Sequence, residues 1–431
     1  MSSDSHSGHD PSSFPRWTSI TTLRPQPFGI SMWAARSLLC TAKSAATGSP
    51  RNAAPRWKAL ERQQITRSAN FHTSPRHCIH PIFLIAAKQI TKGLAIITGR
   101  GFRKWWKSLP SDKKAYFVAV ALKNKWKVAG FFGATWCVGG IYYFSHIQET
   151  PITHRRRFVA FTREQFRKIS DFEFEMQFEL FKPHLLPAVH PVYHRVVRVA
   201  NQLLHGNRDI DEIHNISWSV SVIDSPMKNA FVMSNGQIFV FAGMLEICTN
   251  DEQLGNVLAH EMAHCILGHG AEQVSYAHLI DFALVGFLAA IWAIMPTDGI
   301  AVVTHWFFEK VVSILLRLPY SRKLEREADE VGLQLAAKAC FDVREASAFW
   351  TKMSLMQNAL EDVEFISTHP SHERRSEYLD NIMNSAIELR RQCNCPRLPH
   401  QDPRVLMSML KEEVKQESMV KQGVVILQPP R

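Results

Sequence analysis

Apolar residues recur at helical spacing through Phe158–Phe181 and again through Val192–Leu204, which predicts two helices. The period then shortens. Ile216–Ile223 alternates Ile, Trp and Val with serine, and Ile238-Phe239-Val240-Phe241 is a short apolar run, so both read as strands, with Asn235-Gly236 as a tight turn before the second. Between them lies Asn229-Ala230-Phe231-Val232-Met233, a candidate sheet edge. From Thr249 the helical period returns. Thr249-Asn250-Asp251-Glu252 reads as a capping box, Leu254, Val257, Leu258, Cys265 and Ile266 supply an apolar face, and Gly268-His269-Gly270 ends the segment. Further helical patterns through Glu377–Arg391 and Val405–Val420 read as packing or self-association helices. The fold class is therefore α+β, mainly helical, with a small sheet.

Two apolar stretches stand apart from this pattern. Val128–Phe144 carries no charge, follows Lys127 and closes on Tyr142 and Tyr143. Extended to Ile147 it reaches the length that crosses a hydrocarbon core, so 127–147 is predicted as one N-terminal transmembrane helix. Phe282–Phe308 holds a single charge, Asp298.

Charge divides the chain. Residues 1–157 carry 24 Lys and Arg against 5 Asp and Glu, whereas 158–431 carry 26 against 34. A basic front on a mildly acidic globular domain suggests a targeting and membrane-facing arm. Nothing in that arm resembles a nucleic-acid module, so no nucleic-acid partner is expected. Residues 1–80 are rich in Ser, Ala, Pro and Arg, and from Met32 to residue 80 only Glu61 is acidic. This is the composition of a mitochondrial presequence, starting at Met1 or Met32, with a merely disordered tail as the alternative. In 81–126, Trp105 and Trp106 sit among ten Lys and Arg, which reads as a basic arm against a lipid bilayer. Positive charge is heavier before the span than after it, placing the amino side in the matrix and the remainder in the intermembrane space. The eight cysteines show no C-x-x-C pair and no disulfide framework. Cys393-Asn394-Cys395 reads as surface thiols near a loop, or alternatively as a redox pair.

Chemistry concentrates in His260-Glu261-Met262-Ala263-His264. Two histidines four apart leave one helix face and reach a single zinc ion, one per chain, and the glutamate between them can serve as general base. A third ligand is needed. Gly270 and Leu267 break the pattern that would supply another histidine, and His269 reads as a capping or surface residue. Glu325 and Asp329 share a helical face; one can bind zinc while the other hydrogen-bonds a ligand imidazole. A solvated acidic face is the alternative.

His260-Glu-Met-Ala-His264, Glu325-x-x-Ala328-Asp329, the preceding Asn229-Ala230-Phe231 and Thr368-His369-Pro370-Ser371-His372-x-x-Arg375 together resemble the membrane gluzincins, the family that includes HtpX and the CAAX prenyl proteases. The resemblance covers about 150–395, with 396–431 as a tail. With the presequence and early span it points to the mitochondrial inner-membrane branch. It implies a zincin-type metalloprotease domain in which His260, His264 and Glu325 bind zinc and Glu261 is the base and later the proton donor. Asp329 would orient a ligand, His369 or Arg375 would steady the oxyanion or order the site, and Asn229, Ala230 and Phe231 would bind substrate. It also implies inner-membrane protein substrates, among them the dynamin-like fusion GTPase under stress, and self-cleavage. Ser234-Asn235-Gly236 departs from the family's usual Pro-Gly-Gly, which touches turn geometry only. Because His264 and Glu325 must meet at one metal, 282–308 crosses a membrane either twice or not at all. Its length favours a re-entrant or membrane-resting segment, or a buried helix pair.

Overall fold

The computed structural model describes residues 81–358, 363–369 and 374–421; the expected presequence and the stretch Pro370–His372 lie outside them. Three helices come first: α1 (Pro81–Ser108), α2 (Ser111–Lys123) and α3 (Lys125–Ser145). A short hairpin, β1 (Ile147–Glu149) with β2 (Arg156–Phe158), leads into α4 (Arg163–Phe181) and α5 (Pro191–Gly206). After α6 (Asp211–Asn215) come β3 (Ser219–Ile223), β4 (Ala230–Val232) and β5 (Gln237–Phe241). The remainder is helical: α7 (Ala242–Ile247), α8 (Asp251–Leu267), α9 (His269–Ile294), α10 (Asp298–Val312), α11 (Leu318–Lys338), α12 (Arg344–Asn358), α13 (Glu364–Thr368), α14 (Arg374–Gln392) and α15 (Pro403–Lys421). A π-helical turn, Ser313–Arg317, joins α10 to α11.

Local chemistry fixes the boundaries. Thr162 opens α4 with a complete capping box to Gln165. At α8 the cap falls one residue later than the sequence pattern suggests. Asn250 Oδ1 accepts from the Gln253 amide at 2.7 Å, while Gln253 reaches back to the Thr249 amide at 3.2 Å. Gly268, at φ +67, ends α8 in the left-handed conformation that glycine adopts at least cost.

The sheet runs β3-β5-β4, with β3 parallel and β4 antiparallel to β5. All five residues of β5 are buried, as a central strand requires. β4 is an edge strand pairing through Phe231↔Phe239. Asn229 and Met233 also face β5, through Phe241 N to Asn229 O at 3.1 Å and Met233 N to Gln237 O at 2.9 Å. Antiparallel alternation therefore sends the backbone groups of Ala230 and Val232 to the open edge. The β4 strand lies against α8.

α8 is the central helix, buried on nearly every side among α5, α11 and α12. It meets α11 tightly at Gly332, where a Cβ would stand 2.8 Å from the His260 Cα. Glycine there lets the two helices approach until Glu325 and Asp329, on the same face of α11, reach His260. A disulfide, Cys340–Cys395, ties the end of α11 to the segment after α14. The sequence reading missed it, since its partners are 55 residues apart and match no spacing motif; only Cys393 of the Cys-Asn-Cys pair is free and exposed.

Outside this core the apolar helices form a second assembly. The segment expected to cross a membrane, 127–147, is α3, which has no buried residue. The described helices long and apolar enough to span a bilayer are two others, His269–Ile294 and the continuous run Asp298–Lys338. The basic arm 81–126 is helical, but α1 is no isolated surface helix: it packs along α9 around Ala95, Leu288, Trp292 and Ala301. Gly99 permits this contact, because a Cβ there would collide with the Ala289 carbonyl. Arg103 donates to the Met295 carbonyl at 2.8 Å and pairs with Asp298, so α1 also fixes the turn between α9 and α10.

Glu173 on α4 carries a consequence for stability. Burial pushes its carboxyl from 4.5 up to about 7. In that window the folded chain retains a proton that the unfolded chain has released, so its contribution to stability falls as pH rises from 4.5 to about 7. We expect Glu173→Gln to be close to neutral at pH 4 and stabilising by at most about 3 kcal/mol at pH 8. Melting temperatures of the two proteins at those pH values check this.

Candidate metal centre

Helix α8 delivers His260, Glu261 and His264; α11 delivers Glu325 and Asp329. The end of α13 brings His369 and the start of α14 brings Arg375. One potential ligand atom from each of His260, His264, Glu325 and His369 lies within 4.8 Å of the others. The spacings are short and even. His260 Nε2 and His264 Nε2 are 3.2 Å apart, and Glu325 places Oε2 3.5 Å from the first and Oε1 3.5 Å from the second. A tetrahedron with zinc–ligand bonds near 2.0–2.1 Å has edges of roughly 3.3–3.4 Å. With one carboxylate oxygen near each imidazole, the three residues lie close to the spacing that such an ion needs, and two imidazoles with one carboxylate are a donor set zinc accepts. His369 Nδ1 stands beside them, 3.0 Å from Glu325 Oε2 and 3.4 Å from His260 Nε2.

Electrostatics favours a cation at this point. Burial and the Arg375 guanidinium oppose a charge on His260, yet hydrogen bonds to Asp329 and Glu325 outweigh both and raise it to about 9. Burial holds His264 well below its ordinary value, in the neutral form that binds metals. Burial also raises the Glu261 carboxyl, with the charges of His369 and His260 opposing it. Its Oε1 is buried without a hydrogen bond from the protein and sits 3.3 Å from His369 Nε2. A buried carboxylate oxygen with no protein donor, beside a cluster of metal-binding atoms, is placed to take a proton from a water molecule.

Each donor is braced. His260 Nδ1 lies 3.1 Å from Asp329 Oδ1, and Arg375 clamps that carboxylate with Nε at 2.7 Å and Nη2 at 2.6 Å. Arg375 also stacks on Trp350, its guanidinium carbon 3.5 Å from the ring centroid, and lies 3.1 Å from Glu325 Oε2. The structure thus brings His260, Glu261, His264, Glu325, Asp329, His369 and Arg375 into one site, with Asn229, Ala230 and Phe231 on the strand beside α8.

His269 corrects the sequence reading. It is neither a surface residue nor a mere cap: it is 2% exposed, with Nδ1 2.9 Å from His264 Nδ1 and Nε2 3.1 Å from Glu327 Oε2. The αL turn at Gly268 explains the difference, since it folds the start of α9 back onto α8. Glu327 and Trp350 were also missed. Glu327 lies within an acidic run whose spacing does not say which member faces inward, and an aromatic residue on α12 gives no metal-site signal.

Residues 194–383 match the model of peptidase family M48. The chain is 42% identical over 364 residues to "Metalloendopeptidase OMA1, mitochondrial" of Homo sapiens, covering 83% of this chain and 70% of the relative. It is 40% identical over 400 residues to the protein of that name from Danio rerio, covering 91% and 82% respectively. To "Mitochondrial metalloendopeptidase OMA1" of Schizosaccharomyces pombe it is 32% identical over 265 residues, 61% of this chain and 74% of that one.

Proposed function

Because the chain belongs to peptidase family M48, among the mitochondrial OMA1 metalloendopeptidases, we propose that it is a zinc endopeptidase of the mitochondrial inner membrane acting on membrane-anchored proteins. The observation that carries the catalytic half is the cluster of His260, His264 and Glu325, each with an atom 3.2–3.5 Å from each of the other two residues, beside the buried Glu261 oxygen. These three residues would hold the zinc. When bound, it supplies Lewis acidity to the scissile carbonyl and lowers the pKa of a water molecule.

Glu261 takes a proton from that water, which attacks the carbonyl, and then returns the proton to the leaving amine. His369, whose Nε2 lies 3.3 Å from Glu261 Oε1, borders the reacting atoms and is placed to donate to the oxygen on which charge develops. Asp329 fixes the ring of His260, and Arg375 fixes Asp329. An extended substrate adds as a strand at the open edge of β4, where Ala230 and Val232 offer backbone groups beside α8.

The membrane half rests on α1, α3, α9 and α10. Exposed Phe131, Trp136 and Phe144 on α3, and Phe282, Ile294 and Phe307 on α9 and α10, give apolar surface that water does not favour. The basic front and the tyrosines closing α3 support an inner-membrane helix with the catalytic domain in the intermembrane space. A metal centre tethered to that membrane suits stress-linked quality control and processing of the dynamin-like fusion GTPase; self-association through α15 fits its exposed Leu406, Met409 and Leu410.

Reconstituting the purified full chain in liposomes with a single-span inner-membrane protein tests this. We expect cleavage of the anchored substrate close to the bilayer, abolished by a zinc chelator. Equal cleavage of the same protein without its anchor would remove the membrane half, and chelator-resistant cleavage would remove the catalytic half.

A further inference from the structure

His260 and His264 are held by different parts of the chain. Behind His260 stands a carboxylate, Asp329. Behind His264 stands another imidazole. On the reading that His264 Nε2 binds zinc, its proton sits on Nδ1, and the chemistry onward is determined. His264 Nδ1–H donates to His269 Nδ1 at 2.9 Å, so His269 carries its proton on Nε2 and donates to Glu327 Oε2 at 3.1 Å. A neutral histidine passes on orientation only if its far side is fixed. Glu327 does this, and what fixes Glu327 comes from a distant segment.

That segment is the β1–β2 hairpin, the first structure after α3. Arg155 donates through Nε to Glu327 Oε2 at 2.8 Å, and Thr153 Oγ1 donates to Oε1. Arg155 also grips both oxygens of Glu272, at 2.7 Å each, and Glu272 is fully buried on α9. Tyr320 donates to the same carboxylate at 2.6 Å, and Arg157 reaches the Leu267 carbonyl at the end of α8. One guanidinium therefore joins two buried carboxylates behind the second histidine. The turn that presents it is unusual: Ile152 at φ 65 and His154 at φ 51 both adopt the left-handed conformation without being glycine. Such a turn persists only where its contacts over-determine it, and the Thr150 amide to Arg155 carbonyl bond at 2.9 Å closes it around Thr153.

We infer that Arg155 is a positioning residue of the metal centre, holding His264 in its zinc-binding tautomer and rotamer through Glu327 and His269. The hairpin leaving α3 is then part of the catalytic apparatus and not a linker. This rests on the assignment of His264 as a zinc ligand.

The test uses the full chain in detergent micelles, in a Glu261→Gln background to exclude self-cleavage. Three quantities are read: the zinc dissociation constant against a competing chelator, the visible absorption spectrum of the cobalt-substituted protein, and the melting temperature of the metal-free protein. Arg155→Gln should weaken zinc binding by about 10- to 100-fold and alter the cobalt spectrum. Arg155→Lys should recover part of the affinity. Arg156→Gln should leave all three unchanged, since that side chain is 81% exposed and lies 3.9 Å from the Glu149 carboxylate.

An Arg155→Gln protein with lowered melting temperature but parental zinc affinity and cobalt spectrum would reduce the hairpin to a structural part and overturn the inference. If Arg155→Gln does not fold, Thr153→Val removes a single donor to Glu327. A few-fold loss of zinc affinity supports the inference there, and an unchanged affinity overturns it. His264→Ala separates the two layers: retained zinc in that variant would overturn the ligand assignment itself, and this inference with it.

Discussion

Glu261→Gln is expected to lower peptide-bond cleavage by about 10²- to 10⁴-fold while one zinc per chain remains bound. The amide keeps the size of the carboxylate and removes its ability to take a proton. The site gives this change little other effect. Glu261 is 2% exposed, its Oε1 makes no hydrogen bond within the protein, and it lies outside the Nε2–Nε2–carboxylate triangle. Burial raises its carboxyl, which makes it a stronger base than an exposed glutamate. A fluorogenic peptide assay with parallel metal analysis measures both halves. Cleavage at the parental rate would mean that another group activates the water; loss of zinc would mean that Glu261 is a ligand.

Much of this site was legible in the sequence, for reasons that differ by residue. His260, Glu261 and His264 follow from helix geometry alone, since a four-residue spacing puts two imidazoles on one face. Glu325 and Asp329 could be paired with them as a shared face, but spacing left open which would face the metal. In the structure Glu325 lies 3.5 Å from the Nε2 atom of each histidine while Asp329 meets His260 Nδ1, and Gly332, without a Cβ, lets α11 come close enough to α8 for both contacts. The edge position of β4 was suggested by its place between two strand patterns, and the parallel pairing of β3 with β5 left it there.

What remained hidden depended on contacts between distant segments. His269 looked like a cap because it follows the helix-ending glycine; its burial depends on how α9 folds back. Arg155 reads as one of three consecutive arginines, yet Arg156 is exposed while Arg155 and Arg157 point inward, an alternation that the hairpin imposes. The packing of α1 on α9 was likewise invisible, because a basic, tryptophan-bearing helix meets a bilayer and an apolar neighbour with the same face.

The ligand set decides whether this account stands. Among the described residues, four offer atoms to one ion, and two of them, Glu325 and His369, compete for the third position. Geometry favours Glu325. Its two oxygens reach both histidines at 3.5 Å, and Arg375 at 3.1 Å fixes its orientation. His369 instead lies between Glu325 and Glu261, at 3.0 and 3.3 Å, where it can serve the reacting carbonyl. Removing one side of the triangle should cost the ion; removing the neighbour should cost only rate. The direct measurement is the zinc content of purified Glu325→Gln and His369→Asn, each made in the full chain and dialysed against a chelator at a concentration that leaves the parent loaded. The account predicts zinc well below one per chain in Glu325→Gln and close to one per chain, with slowed cleavage, in His369→Asn. Full zinc in Glu325→Gln together with its loss in His369→Asn would contradict it.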